Sequence, residues 1–264
     1  MTVLKVATLN VNGINDPAKC HTIFHTLQNL NCDLIAIQET HITQKKIPEM
    51  KRLWPFESIW SPAPSSSSCG TAILLGPRME TGANIAAEKI DEYGRVVIFK
   101  TKYNEATIQI TNIYAPNENN QRDDFFDSVS ENMFPDMNHT ILTGDFNMVE
   151  DPRIDRGGTS KSHESQYKKG IDGLNRLKSE FSLQDYWRQQ NPERREFTWK
   201  FKHKKEYKAS RLDRFYSSHN TQRIMSQHRI SQSDHAIVVS RYNLPTHAPR
   251  GPGYWKFNKK VLAI

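Results

Sequence analysis

The chain is poor in cysteine: its 264 residues contain three, Cys20, Cys32 and Cys69, far apart and with no Cys-x-x-Cys pair among them. An odd, scattered set builds no disulfide framework and lacks the ligand spacing of a structural zinc site, which points to a reducing compartment. Long hydrophobic runs are missing too. No stretch reaches the roughly 18 apolar residues of a membrane-spanning helix, and the first ten residues read as a strand rather than a leader. These absences predict a soluble, intracellular protein with no membrane partner. No repeat recurs at solenoid periods. Acidic residues are in deficit, with 29 Asp and Glu against 36 Lys and Arg.

What is present suffices for one enzyme-sized domain. Hydrophobic residues make up 36% and aromatic residues 10% of the chain, enough apolar surface to bury a core. The formal charge of +7 and pI near 9.2 favour a polyanionic partner. Between Arg188 and Arg214 stand ten basic and four acidic residues, so six of the seven net charges fall in one window. Such a window suits a nucleic-acid-facing loop better than a merely solvated one.

Hydrophobic periodicity predicts an alternation of strands and helices. Val3 to Val11 reads as a strand closed by the turn signal Asn12-Gly13, and Pro17 then opens a helix carrying Ile23, Phe24, Leu27 and Leu30. Further strands are expected at 33–38, 71–75, 95–100, 107–113, 139–143, 184–187, 196–201, 210–216 and 236–240, with helices at 123–133 and about 164–181. Ser61 to Ser68 reads as a surface loop. The expected architecture is α/β: two mostly antiparallel sheets packed face to face and flanked by helices. The domain is expected to span 1–243. Residues 244–264, which begin with a Pro- and Gly-rich stretch, read as a linker or the start of a further segment.

Six polar clusters read as standing immediately after apolar strands: Asn10 to Gly13, Gln38 to His41, Tyr114 to Asn117, Gly144 to Asn147, Arg211 to Arg214 and Ser233 to His235. Any one of them could be a turn. Six together supply the parts of phosphodiester hydrolysis, which needs a cation on the phosphoryl oxygens, an activated water and donors for developing charge. Oxygen ligands such as Glu39, Asn10, Asn12 and Asp234 suit Mg2+, with Mn2+ as a substitute, rather than zinc. Asp213 and His235 are candidates for a carboxylate–imidazole pair that keeps the histidine protonated.

The ordered series LNVNG, IQETH, NIYAPN, LTGDFN, SRLDRF and SDHAIV, running from Leu9 to Val238, resembles the motif series of the endonuclease/exonuclease/phosphatase superfamily. Within it, the QETH, IYAPN and SDHAIV forms are similar to the endonuclease domain of LINE-type non-LTR retrotransposon polyproteins, and RGPGYWKFN at the end resembles the segment leading toward their reverse transcriptase. The resemblance implies a deoxyribonuclease I-like four-layer sandwich that nicks one strand of double-stranded DNA and leaves a 3′-hydroxyl to prime reverse transcription. An abasic-site repair endonuclease is the alternative. It further implies catalytic roles for Asn10, Glu39, Tyr114, Asp145, Asn147, Asp213, Asp234 and His235, with metal held by Glu39, Asn10 and Asp234. Asn12 stands where DNA-repair relatives often carry an aspartate. DNA contacts are expected from Asn12, His41, Arg153, Arg156, Thr198, Lys200, Lys202, Lys204, Lys205, Arg211 and Ser233, with Lys200 to Lys208 forming a basic hairpin. In a full-length protein the partners would be element RNA and the polymerase domain. The isolated domain would be a monomer, made in the cytoplasm and acting in the nucleus.

Overall fold

The computed structural model describes residues 2–80, 83–103, 106–158, 170–203, 206–218, 222–229 and 232–244. In chain order the elements begin with β1 (Thr2–Asn10), α1 (Pro17–Asn29), β2 (Leu34–Gln38), α2 (Ile47–Leu53), β3 (Ser58–Ser61), β4 (Thr71–Leu75), α3 (Pro77–Glu80) and β5 (Ala83–Ile90). There follow β6 (Val96–Tyr103), β7 (Ala106–Tyr114), α4 (Arg122–Asn132), β8 (His139–Asp145), α5 (Pro152–Asp155), β9 (Arg156–Gly158) and α6 (Ile171–Glu180). The last are α7 (Tyr186–Gln190), β10 (Trp199–His203), β11 (Glu206–Ser210), β12 (Asp213–Ser217), β13 (Gln222–Arg229) and β14 (Ala236–Leu244).

Two sheets pack face to face. One has six strands in the order β13-β14-β1-β2-β4-β3, the other five in the order β12-β8-β7-β6-β5. Each contains one parallel pair, β1 with β2 and β7 with β8, and is otherwise antiparallel. Alternation decides which layer each side chain enters. On β1, Leu4 and Val6 point into the space between the sheets, where Phe99, Ile108, Ile110, Ile141, Phe215 and Val238 meet them. Ala7 and Leu9 point the other way, against Ile23, Phe24 and Leu27 of α1 and Met50 of α2. On the far side, Ile98, Ile113 and Leu142 pack on Phe126 and Val129 of α4 and Leu174 and Leu177 of α6. The result is the expected order helix, sheet, sheet, helix. Central strands such as LIAIQ are buried on both faces, which is why they read as continuous apolar runs.

Local signals set the ends of α1: Asp16 accepts the Lys19 N–H at 2.7 Å as N-cap, and Pro17 occupies the first turn. The strand expected over 184–187 is replaced. Asp185 accepts the Arg188 N–H at 2.9 Å and starts α7, so Tyr186 and Trp187 are helical, and Gln184 alone retains a bridge, to Ser217. The loop expected over 61–68 begins later than read, because Ser61 closes β3. The helix expected from about residue 164 is described from Ile171 onward, its earlier residues lying outside the described set. No helix among the described residues is long and apolar enough to cross a membrane.

Candidate active site

Strand register gathers the polar clusters at one edge of the sandwich. Asn10 lies beside Gln38 where β1 and β2 end, and Asp145 lies between Tyr114 and Asp213 across β7, β8 and β12. Neighbours in register share a face, so Tyr114, Asp145 and Asp213 all project toward the other sheet. Directly beyond the strand ends the chain adopts left-handed backbone at Asn12 (φ 47°), Glu39 (φ 51°), His41 (φ 58°) and Asn147 (φ 49°). This conformation is tolerated by asparagine but costs about 1 kcal/mol at a residue such as Glu39. Cross-loop bonds hold it in place: Gly13 N–H to Glu39 O (2.7 Å), Thr40 N–H to Gly70 O (2.9 Å) and His41 N–H to Cys69 O (2.9 Å). Just before Asp145, Gly144 runs so close to β7 that a Cβ there would stand 2.0 Å from the Ile113 carbonyl oxygen. Glycine is therefore required for the register that delivers Asp145.

The centre is a buried chain of charge. His235 Nδ1 lies 2.8 Å from Asp213 Oδ2, and its Nε2 lies 3.9 Å from Asp145 Oδ2. Burial pulls the imidazole toward neutrality, but the Asp213 and Asp145 carboxylates outweigh it and lift its pKa to about 10. His235 is thus an imidazolium at neutral pH. Asp145 is held above the usual carboxylate range by burial and by the negative charge of Asp213. Its Oδ1 accepts the Asn147 N–H at 2.9 Å, and its Oδ2 accepts the Asn10 side-chain amide at 2.9 Å. The same Asn10 amide donates to Glu39 Oε1 at 2.7 Å, bridging the two carboxylates. Burial would raise Glu39, yet hydrogen bonds from His41, Asn10 and Tyr114 bring it below its ordinary value. Burial and the charges of Glu39 and Asp145 push Tyr114 upward, so it remains a phenol able to donate.

Asp145, Asp213 and His235 offer ligand atoms all within 4.8 Å of one another, an arrangement that could hold a divalent metal. At His235 such a metal would have to displace the proton that the neighbouring carboxylates hold on the imidazole. Glu39 is better suited: its side chain is 23% exposed, and the carboxylates around it are hard oxygen donors. The donor set around Glu39 therefore fits a divalent metal ion. Asn10, expected as a ligand, stands between the carboxylates. Its Oδ1 accepts the Asn12 N–H at 3.0 Å while its nitrogen faces Glu39 and Asp145, so it serves as a donor between carboxylates. Asp234 accepts Trp199 Nε1 at 2.8 Å and Asn12 Nδ2 at 3.3 Å, at the exposed rim.

The residues expected to contact DNA divide into several groups. Lys200 and Lys202 are exposed on β10, the first strand of the β10–β11 hairpin; Lys204 and Lys205 lie outside the described residues. Arg153 is exposed and bonded to Asp151, Arg156 is half-buried in β9, and Asn12 and His41 line the mouth beside Asp234 and Glu39. Two expectations are corrected. Arg211 is 2% exposed, and its guanidinium binds Asp155 at 2.6 Å and Asp185 at 2.6 Å, so it braces the loop from inside. Thr198 is buried too; its hydroxyl accepts the N–H groups of both Leu212 and Asp213 at 3.0 Å, fixing the carboxylate that holds His235. Ser233 likewise bonds inward, donating to Asn10 O at 2.7 Å.

Sequence reasoning missed three supporting cations. Arg122 donates to the carbonyls of Pro116, Asn117 and Asn147 at 2.9, 2.9 and 2.7 Å, tying two site loops together. Arg95 donates to Tyr114 O at 3.2 Å and lies over the Tyr114 ring. Lys19 donates to Asn12 O at 2.6 Å, its charge facing Asp234, Asp16 and Glu39. None stands in one of the six clusters: Lys19 and Arg122 lie in the first turns of helices and Arg95 just before β6, and a lone basic residue at such a place carries no signal of its own.

The geometry agrees with comparisons to known proteins. A Xenopus laevis protein described as a transposon TX1 uncharacterized 149 kDa protein is 31% identical over 267 residues, a match covering 98% of this chain and 19% of the relative. The chain thus spans about a fifth of that protein's length. Among solved structures, AP endonuclease LMAP from Leishmania major superposes with a TM-score of 0.75 at 18% identity, over 92% of this chain and 88% of that one. The Xenopus laevis APE2 catalytic domain gives 0.68 at 18% identity, over 90% and 91%. At such identities these two likenesses establish the fold. The sequence profile of the Endonuclease/Exonuclease/phosphatase family matches residues 7–235, from β1 through His235. This chain belongs to that family and is a phosphoester hydrolase.

Proposed function

We propose that the chain is a magnesium-dependent DNA endonuclease domain of a non-LTR retrotransposon, cutting one strand of target duplex and leaving a 3′-hydroxyl that primes reverse transcription. The observation that carries the chemistry is the buried line Asp213, His235, Asp145, joined through Asn10 to a partly exposed Glu39. Asp145 is a carboxylate of raised proton affinity, suited to taking the proton of an attacking water while Asn147 and Asn10 hold its orientation. The water oxygen bonds to phosphorus, the bond from phosphorus to the 3′-oxygen breaks, and the departing 3′-oxygen takes a proton from solvent water to become the 3′-hydroxyl. His235 and Tyr114 donate hydrogen bonds to the phosphoryl oxygens as charge builds there. A divalent ion held by Glu39 and neighbouring carboxylates would polarise the same phosphate.

The retrotransposon assignment is supported by the similarity to a transposon protein, and DNA as substrate by the concentration of positive charge on the hairpin. On this reading the domain acts in the nucleus, alongside element RNA and a polymerase domain. Repair of abasic sites is the second reading, favoured by the two solved structures named as AP endonuclease or APE2. The deciding experiment is nicking of supercoiled plasmid in Mg2+, with EDTA and Asp145→Ala as controls, beside a duplex carrying one abasic site. Nicks in intact plasmid with 3′-hydroxyl ends, lost in both controls, are expected. Cleavage confined to the abasic duplex would transfer the assignment to repair.

A further inference from the structure

Strand β10 carries three rings on one face. Trp199, Phe201 and His203 alternate along it, and a period of two aligns their side chains. The Trp199 and Phe201 centroids are 6.3 Å apart with planes 10° from parallel, and those of Phe201 and His203 are 6.3 Å apart at 30°. The row runs outward from the active site. Trp199 is half-buried, its Nε1 bonded to Asp234 and its backbone bridged to His235, while Phe201 is 41% exposed and His203 is exposed. Phe201 and His203 leave ring surface open to water beside the active site, and such surface suits an aromatic occupant.

Charge on the same hairpin indicates which one. Register puts Lys208 directly opposite Phe201, and Lys200 and Lys202 lie on the reverse face of the strand. A row of rings with one lysine beside it, which also faces Glu206 at 3.8 Å, and two more lysines on the hairpin's other face suits bases strung on phosphates, as in single-strand binding grooves. In an intact duplex each base already has both faces covered, so exposed rings can gain only from bases that leave the stack.

We propose that Trp199, Phe201 and His203 form a stacking ladder for unpaired bases of the DNA strand being cut. This assignment rests on the nicking function above and adds to it a surface that receives bases which have left the duplex stack.

The test uses the whole chain in EDTA, so that binding is read without cleavage. The probe is a short single-stranded oligodeoxynucleotide containing 2-aminopurine, whose emission is quenched when it stacks. Wild-type protein should quench it, and should quench the same probe less when it is paired with its complement. Phe201→Leu should weaken binding about tenfold and abolish most of the quench, whereas Phe201→Tyr should retain both. Because Phe201 is so exposed, the substitution does not threaten folding. Absence of quenching by the wild type, equal quenching by Phe201→Leu, or equal loss in Phe201→Tyr would overturn the ladder. Plasmid nicking in Mg2+ is scored separately: quenching without nicking would preserve the ladder and remove the nicking function, and nicking without quenching would do the reverse.

Discussion

The strand-end centre and the β10–β11 hairpin lie next to each other but are built in opposite ways. At the centre, Asp145, Asp213 and His235 are buried, and each is held by named partners from other strands and loops. On the hairpin, β10 exposes nearly every side chain and pairs with β11 alone along most of its length. The contrast separates two tasks. Chemistry requires groups fixed within tenths of an ångström, which buried hydrogen bonds provide, whereas substrate choice requires surface that can follow a deformable partner. Substitutions at the centre should therefore lower turnover, and those on the hairpin should alter binding.

The largest effect is expected from His235→Ala, which removes the cation between two carboxylates. Nicking should fall by about 10²–10⁴-fold, with the far-ultraviolet circular dichroism spectrum unchanged. A loss smaller than tenfold would show that the imidazolium is not part of the chemistry. Next comes Arg211→Met, which lies under both regions. It leaves Asp185 without its guanidinium and Asp155 with that of Arg188 alone, so chemical denaturation should show a loss of about 3 kcal/mol. If stability is unchanged, the network is not the brace that joins the hairpin base to β12.

Asp213→Asn tests the link between the centre and pH. A histidine whose folded pKa is about 10, against an ordinary 6.5, contributes stability that is complete below the lower value and is lost as pH rises through the higher. The same proton supports turnover, so the wild-type rate should decline on the alkaline side only as pH approaches about 10. In Asp213→Asn the decline should move toward neutrality, together with a fall in rate of about tenfold or more at neutral pH. A pH–rate profile whose alkaline limb stays in place would detach Asp213 from His235.

Much of this architecture was legible because strands buried on both faces announce themselves. DLIAIQ and HTILT are short, β-branched and bounded by polar residues, and they form β2 and β8 nearly as read. The clusters at their ends were legible for the same reason: an abrupt change from apolar to Glu39 or Asp145 marks where a sheet reaches its edge. What failed depended on partners distant in sequence. The run around Trp187 has strand-like residue types, but the Asp185 cap turns it into a helix. Arg211 stands in a motif full of charge, and only the fold reveals that Asp155 and Asp185 enclose it. The Asn10 amide orientation follows from the Asn12 N–H, a contact set by a left-handed turn that residue types alone do not fix.

The smallest effect, and the one that most sharpens the division between centre and hairpin, belongs to Lys200→Ala and Lys202→Ala. Both lysines are exposed, and both project from the face of β10 opposite the rings. If they neutralise DNA phosphates, each releases condensed counterions on binding, and the slope of log KM against log salt should flatten by about one unit per lysine removed. The change should fall on KM and be uniform across target sequences, because phosphates carry no base identity. Measuring KM over a salt series for the two single variants and the double variant reads this directly. A fall in kcat at saturating DNA would instead mean that the hairpin positions the scissile phosphate and that the two regions share the catalytic task.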